Sequence, residues 1–443
     1  MLFTDLNINS ALQNALTDLG IEKATTIQSA AFPVIMSGKD VVGLAQTGTG
    51  KTFAYLLPLL RQFNFSKDKN PKILIVVPTR ELVLQVVQEA EKLTTYMNFR
   101  IGGVYGGTNI NTQKMVVLNG LDLLVATPGR LIDLVLNGSL KLKQIQKFVI
   151  DEVDEMMDLG FRPQLERIMD LLPPRRQNLM FSATLTEDVE KLINDFFENP
   201  IKITAAPSGT PLEKIEQIGI DVPNYYTKIN LIKYYIENHP EMNKVMVFTK
   251  SKKFADMLFE QVENLLPNQL GLIHSNKSQN NRILELKKFI AGDYRFLIAT
   301  DLVARGLDIS DVSHVINFDM PEEQEMYIHR IGRTGRADKD GIAISFLTES
   351  DNEFWEQIQD YMKIQIAVEN IPDGVEISSE LLEIEKPVLK GMLVNKTPKA
   401  KVSGGFHEKI AKNKKVNLGG SYRREIKEKY KKPIRRRNNG NNK

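Results

Sequence analysis

Ten short apolar runs punctuate the chain: DVVGL, KILIVV, DLLVA, KFVI and NLMFS in its first half, then KVMVF, LGLI, RFLIA, HVINF and GIAISF in its second. Each holds four to six residues rich in Val, Ile and Leu, and most are separated from the next by enough chain for a helix. Runs of this kind fit strands buried on both faces, and their spacing fits the βαβ rhythm of parallel sheets. Between the two groups, Thr204 to Glu213 (TAAPSGTPLE) clusters Pro, Gly and Ser, the composition of a linker. The pattern predicts an α/β protein with a first domain over 1–205, a linker over 206–215, a second domain over 216–365 and a C-terminal extension over 366–443. No sequence repeat relates the halves, so their likeness is expected in architecture alone.

Polar residues gather at the carboxyl end of nearly every run: AQTGTGKT, PTREL, TPGR, DEVD and SAT in the first half, TKS, HSN, ATD and HRIGRTGR in the second. In open parallel sheets this is the edge where ligands bind. Two such edges joined by one linker predict a cleft that closes.

Composition narrows the function classes. The 443 residues, 42% of them hydrophobic, suffice for two or three domains with sizeable cores. The first residues, MLFTDLNINS, carry no basic start and no apolar leader, and no apolar run is long enough to span a bilayer, so a cytoplasmic protein is expected. With no cysteine, disulfides, thiolate zinc sites, iron–sulfur clusters and cysteine nucleophiles are excluded, and the five histidines are scattered. The net charge of +3 hides an asymmetry: Lys386 to Lys443 hold 19 Lys/Arg against 3 Asp/Glu, or +16, and the remaining 39 against 52 give −13. The tail is rich in Asn and Gly and poor in apolar residues, and is expected to be a disordered basic arm from about residue 386. Such an arm either captures a polyanion or keeps the chain soluble.

The segment Ala45, Gln46, Thr47, Gly48, Thr49, Gly50, Lys51 and Thr52 follows a buried run and precedes the helix-like FAYLLPLL, the setting a phosphate loop requires. Its glycines let backbone N–H groups approach phosphate oxygens, Lys51 reaches the β and γ phosphates, and Thr52 suits Mg²⁺. Ala45 stands where the first Gly is usual. Asp151 and Glu152 end another buried run on the same edge; Asp151 suits the Mg²⁺ shell and Glu152 the orientation of an attacking water. From the other half, HRIGRTGR supplies Arg330, Arg333 and Arg336, and Arg333 and Arg336 have the placement of arginine fingers. Taken alone, that cluster would equally fit surface ion pairs at a helix end.

The ordered set Phe3 with GIEKATTIQ, AQTGTGKT, PTREL, Gly106–Gly107, TPGR, DEVD, SAT, VFTKS, Gln279 to Arg282, ATDLVARGLD and HRIGRTGR resembles the DEAD-box family of RNA helicases, superfamily 2, over about residues 1–365. The resemblance implies two tandem RecA-like domains, with ATP and Mg²⁺ as cofactors. It implies that Gln28 reads the adenine edge, Phe3 stacks on the base and Thr25 supports that pocket. Asp154, Ser182 and Thr184 would couple the nucleotide site to strand separation, Asp308 would reach the ribose, and the Gly306 backbone the γ phosphate. Arg80, Gly107, Thr127 and Arg130 in the first half, with Thr249, Arg282 and Thr300 in the second, would hold the RNA backbone without reading its sequence. Contact with the 2′-hydroxyl would separate RNA from DNA.

Three positions depart from the family pattern. Val153 replaces Ala in the acidic motif, for which altered packing and retained chemistry are expected; HSN at His274 to Asn276 replaces His-Gly-Asp; and Thr26 stands where Pro is usual. The leading expectation is an ATP-dependent RNA helicase that acts on single-stranded RNA, short duplexes and ribonucleoprotein complexes. An RNA clamp with a slow timer ATPase is the alternative, and a DNA helicase of similar architecture is disfavoured by the motif set.

Deletion of Lys386 to Lys443 should preserve basal ATPase activity and reduce RNA affinity similarly for all sequences. The slope of log affinity against log salt should flatten by about 0.7 for each single-strand phosphate that the arm no longer neutralises. Binding titrations in increasing salt check this; an unchanged slope and affinity would mark the arm as a solubilising or protein-docking segment.

Overall fold

The computed structural model describes residues 1–45, 48–65, 67–205, 214–301, 312–335 and 340–386, excepting the side chains of Gln279 and Asn280. The apolar runs become strands of two seven-stranded sheets. The first sheet comprises β1 (Val41–Leu44), β2 (Ile73–Val76), β3 (Ile101–Val104), β4 (Leu123–Ala126), β5 (Lys147–Asp151), β6 (Gln177–Ser182) and β7 (Ile201–Thr204). The second comprises β8 (Ile215–Asp221), β9 (Val245–Thr249), β10 (Leu270–Ile273), β11 (Phe296–Thr300), β12 (His314–Asn317), β13 (Gly341–Leu347) and β14 (Ala367–Glu369). Neighbouring strands in both sheets pair in parallel.

The spatial order is β3-β4-β2-β5-β6-β1-β7 in the first sheet and β10-β11-β9-β12-β13-β8-β14 in the second. Counting strands from the start of each half, the two orders are identical, so the architectural likeness extends to topology. In the first sheet this order sets β5, β6 and β1 side by side, which brings the segments that follow them, DEVD, SAT and the phosphate loop, to one stretch of the carboxyl edge.

Helices cover both faces, and the strand side chains alternate between two cores. Val41, Ile73, Ile75 and Val149 enter one cluster, while Val42, Leu74, Val76, Phe148 and Ile150 enter the other. That two-sided burial is why these strands read as continuous apolar runs. Strands β3, β7, β8 and β14 do not read that way: β3 is IGGV with every second residue only partly buried, and all three residues of β14 are exposed. No helix among the described residues is long and apolar enough to cross a membrane.

The fold differs from the sequence-based boundaries at both ends of the second half. Strand β8 already begins at Ile215, inside the expected linker. The expected C-terminal extension contributes β14, which pairs with β8, and then a segment whose Ile371, Val375 and Leu382 pack on the second half's core. Asn224 Nδ2 donates to the Ser378 carbonyl (2.6 Å), and the Tyr225 N–H donates to Glu385 Oε1 (2.7 Å). Short apolar insertions between polar residues carry this docking, and they make no periodic signal. Met1–Glu385 form one compact unit, separate from Lys386–Lys443; beyond Lys386 the basic arm lies outside the described residues.

Gly43 in β1 stands opposite Phe181 of β6, and a Cβ at Gly43 would lie 2.6 Å from the Phe181 ring. Gly43→Val should therefore destabilise the first half by about 1–3 kcal/mol through overpacking. Calorimetry should show its transition lowered by about 2–4 °C per kcal/mol lost.

Candidate functional site

The loop after β1 reverses the chain onto the helix Lys51–Arg61. Gly50 caps that helix with φ of 88°, a left-handed conformation that favours glycine. Ala45 is buried and its N–H donates to the Ser182 carbonyl (3.0 Å), fastening the loop's start to β6. Gln46 and Thr47 lie outside the described residues; Gly48 also has a positive φ, of 84°.

Lys51 is buried at the first helical position and its Nζ lies 2.9 Å from Glu152 Oε1. Burial disfavours its charge, but the carboxylates of Glu152, Asp151 and Asp154 together outweigh that and raise its pKa. Asp151, at the end of β5, is pushed up to about 6, first by burial and then by the neighbouring Glu152 charge. Its Oδ2 accepts a hydrogen bond from the Tyr55 hydroxyl (2.9 Å) and its Oδ1 one from the Glu152 N–H (3.0 Å). Glu152 itself adopts φ of 53° and ψ of 52°, a left-handed geometry that costs a non-glycine residue about 1–3 kcal/mol. Val153 starts the following helix fully buried in the second cluster of the first half, so the larger side chain is absorbed on the core side and the carboxylates keep the other.

Asp154 joins DEVD to SAT. Its Oδ2 accepts from the Ala183 N–H (3.0 Å), the Thr184 N–H (2.8 Å) and the Thr184 hydroxyl (3.0 Å). Burial raises its pKa, but His329, Lys51 and the Thr184 bonds more than offset this and the net shift is downward. Ser182 is fully buried at the end of β6.

Across from these groups, His329 and Arg333 of the second half line a cavity of about 140 Å³ together with Glu152, Asp154, Glu155 and Thr184. The His329 pKa is lowered, by burial first, although Asp154 and Glu152 pull the other way. The neighbouring arginine differs: Arg330 donates through Nε and Nη2 to Asp301 (2.6 and 2.7 Å) and through Nη1 to Asn317 Oδ1 and the Asp319 carbonyl (3.2 and 2.6 Å). It braces strand ends inside the second half. Arg336, Gly306 and Asp308 lie outside the described residues.

Gln28 and Thr25 form a capping box on the helix Thr26–Met36, with the Thr25 N–H donating to Gln28 Oε1 (2.9 Å). Gln28 Nε2 donates to the Gly50 carbonyl (3.1 Å), so the same side chain touches the phosphate loop. Phe3 departs from expectation: it packs in the first half's core, 2% exposed, and the stacking face assigned to it is covered by protein.

The residues expected at a nucleic-acid strand divide into two sets. Arg80 lies over the Tyr105 ring at 4.6 Å, Gly107 has φ of 77° in an open turn, and Thr127 caps the helix Pro128–Leu136. Thr249 and Thr300 are register partners at the ends of β9 and β11. Arg130, by contrast, is buried and donates to Gln113 Oε1 (2.6 Å) and the Thr108 carbonyl (2.8 Å), so it braces the Gly107 turn from beneath; burial beside a glutamine that sequence reasoning missed is the reason. Arg282 reaches across the halves to Glu81 of PTREL (2.9 Å). Sequence reasoning assigned no role to Tyr55, Gln113, Glu81 or His329, although Glu81 and His329 stand within PTREL and HRIGRTGR.

Residues 25–192 match the DEAD/DEAH box helicase family and residues 227–338 match the helicase conserved C-terminal domain. DEAD-box ATP-dependent RNA helicase 24 of Oryza sativa subsp. japonica is 39% identical over 357 residues, covering 80% of this chain and 46% of that protein; the chain thus spans about half the length of this plant relative. ATP-dependent RNA helicase RhlB of Shewanella sp. (strain MR-4) is 38% identical over 382 residues, covering 83% of this chain and 85% of that protein. Among solved structures, S. cerevisiae Dbp5 bound to RNA and ADP BeF3 superimposes with a TM-score of 0.76 at 26% identity, covering 84% of this chain and 96% of that one. Mss116p bound to ssRNA and AMP-PNP gives 0.77 at 27% identity, covering 88% and 83%. With both halves matched in order and a RhlB relative aligned across most of both chains, the two sheets are tandem RecA-like domains and the chain belongs to the DEAD-box RNA helicase family.

Proposed function

We propose that the chain binds ATP and RNA between its two RecA-like domains and uses ATP hydrolysis to open short RNA duplexes and remodel ribonucleoprotein complexes. One observation carries this: Lys51, Glu152 and Asp154 of the first half and His329 and Arg333 of the second converge on one buried cluster. The names of the relatives and the RNA in the neighbouring structures support the choice of RNA as the polymer.

The donor set also fits Mg²⁺. Asp151, at the end of β5, and Thr52, at the start of the helix after the phosphate loop, supply oxygen donors of the kind a hard divalent cation requires, and the Glu152 carboxylate adds to the need of Asp151 for positive charge. When bound with ATP, Mg²⁺ supplies charge neutralisation at the phosphates. Lys51 exchanges its Glu152 partner for phosphate oxygens, and Glu152, so released, orients the attacking water. Arg333 presents its guanidinium to the charge that develops on the γ phosphate, and the Asp154–Thr184 bonds link that event to the SAT segment.

Lys51→Ala should abolish productive ATP binding, whereas Glu152→Gln should bind ATP normally, hydrolyse it at a small fraction of the wild-type rate and accumulate a long-lived RNA complex. Nucleotide titration, turnover and RNA dissociation rates separate the two, and wild-type turnover in Glu152→Gln would remove Glu152 from the mechanism. Arg333→Ala should slow hydrolysis by about a thousandfold or more with nucleotide affinity nearly intact. Strand displacement by the wild-type chain under ATP turnover, compared on RNA and DNA duplexes, distinguishes a helicase from a timed clamp.

A further inference from the structure

The helix that follows the phosphate loop carries a second hydroxyl into the site. Tyr55 lies one turn after Thr52, is fully buried, and packs its ring on Phe181 of β6 with centroids 5.3 Å apart. A buried phenol needs a polar partner, and any nearby carbonyl could have met that need. Here the partner is Asp151, whose Oδ2 accepts the Tyr55 proton at 2.9 Å.

Asp151 has Oδ2 fixed by Tyr55 and Oδ1 fixed by the Glu152 N–H, so its carboxylate cannot rotate without losing two hydrogen bonds. A single phenol proton therefore sets the orientation of the carboxylate assigned to the cation.

We propose that Tyr55 is a positioning residue for the divalent cation that accompanies ATP, its hydroxyl holding Asp151 in the geometry that receives the ion. The inference rests on the assignment of the loop as an ATP site. Tyr55 acts through Asp151, as groups behind metal ligands do.

The test is Mg²⁺-dependent binding of a fluorescent ATP analogue to the full chain, wild type and Tyr55→Phe, which keeps the ring on Phe181. Loss of a hydrogen bond to a charged acceptor should raise the Mg²⁺ concentration for half-maximal binding by about tenfold. Binding in EDTA should be unchanged. In an Asp151→Asn background, Tyr55→Phe should add little, because the group it orients is already altered. Equal weakening with and without Mg²⁺, accompanied by a lower melting temperature, would make Tyr55 a packing residue and overturn the proposal. An unchanged Mg²⁺ dependence in Tyr55→Phe would overturn it while leaving the ATP site intact. A wild-type chain whose binding of the analogue ignores Mg²⁺ would remove the cation assignment itself and this inference with it.

Discussion

Three carboxylates, Asp151, Glu152 and Asp154, are buried within four residues at the end of β5 and the start of its helix, and the surrounding site is organised by the need to compensate them. Taking an ionised carboxylate out of water costs several kcal/mol unless a partner offsets it. Each of the three has a different partner: Tyr55 for Asp151, Lys51 for Glu152, and the SAT backbone and hydroxyl for Asp154. Since these partners come from the phosphate loop, its helix and β6, charge compensation also fixes the mutual placement of three segments that are distant in sequence. Burial and the neighbouring Glu152 charge nonetheless leave the Asp151 carboxyl well above the usual carboxylate range.

Such a cluster needs a frame that delivers the segments to one place, and the strand order supplies it. With β5, β6 and β1 adjacent, three carboxyl ends fall side by side without any long connection. The second half repeats the order with β12, β13 and β8 as the equivalent neighbours, and there Asp319 after β12 and Asp351 after β13 converge on Lys228 (3.6 and 3.8 Å). Its chemistry sits instead on the helix Gln324–Ile331 and the turn after it, which present His329 and Arg333. The same topology thus carries the buried carboxylates in one copy and presents a histidine and an arginine to them in the other.

The central strands were legible because burial on both faces leaves an unbroken apolar run. Strands β3, β7, β8 and β14 were not: β3 keeps two glycines, where a Cβ on Gly102 or Gly103 would press on Leu121 or Val83 at 2.8 Å, and this close packing replaces apolar side chains with none at all. At the site, placements set by local chain chemistry, such as that of Lys51 at a helix start after two left-handed glycines, could be read directly. Partnerships made by tertiary packing could not. Nothing in FAYLLPLL distinguishes the Tyr55 hydroxyl from a solvent-facing phenol, and nothing in the sequence near Gly107 announces that Gln113 will capture Arg130.

The arginines show how the same residue type divides by hydrogen-bond supply. A guanidinium offers five N–H groups in a planar fork. Arg330 directs four hydrogen bonds into Asp301, Asn317 and the Asp319 carbonyl, and Arg130 commits its terminal nitrogens to Gln113 and Thr108. Neither could take up an external phosphate without abandoning buried partners, which would then be left unsatisfied at a cost of about 1–3 kcal/mol each. Arg282 stands between these cases. Its ion pair with Glu81, whose side chain is buried, joins PTREL to the second half, and anything that displaced Glu81 would have to compensate the carboxylate left behind. Arg282 therefore ties the two halves through the Glu81 carboxylate, whereas Arg330 and Arg130, each spread over several acceptors, are committed to the fold of a single half.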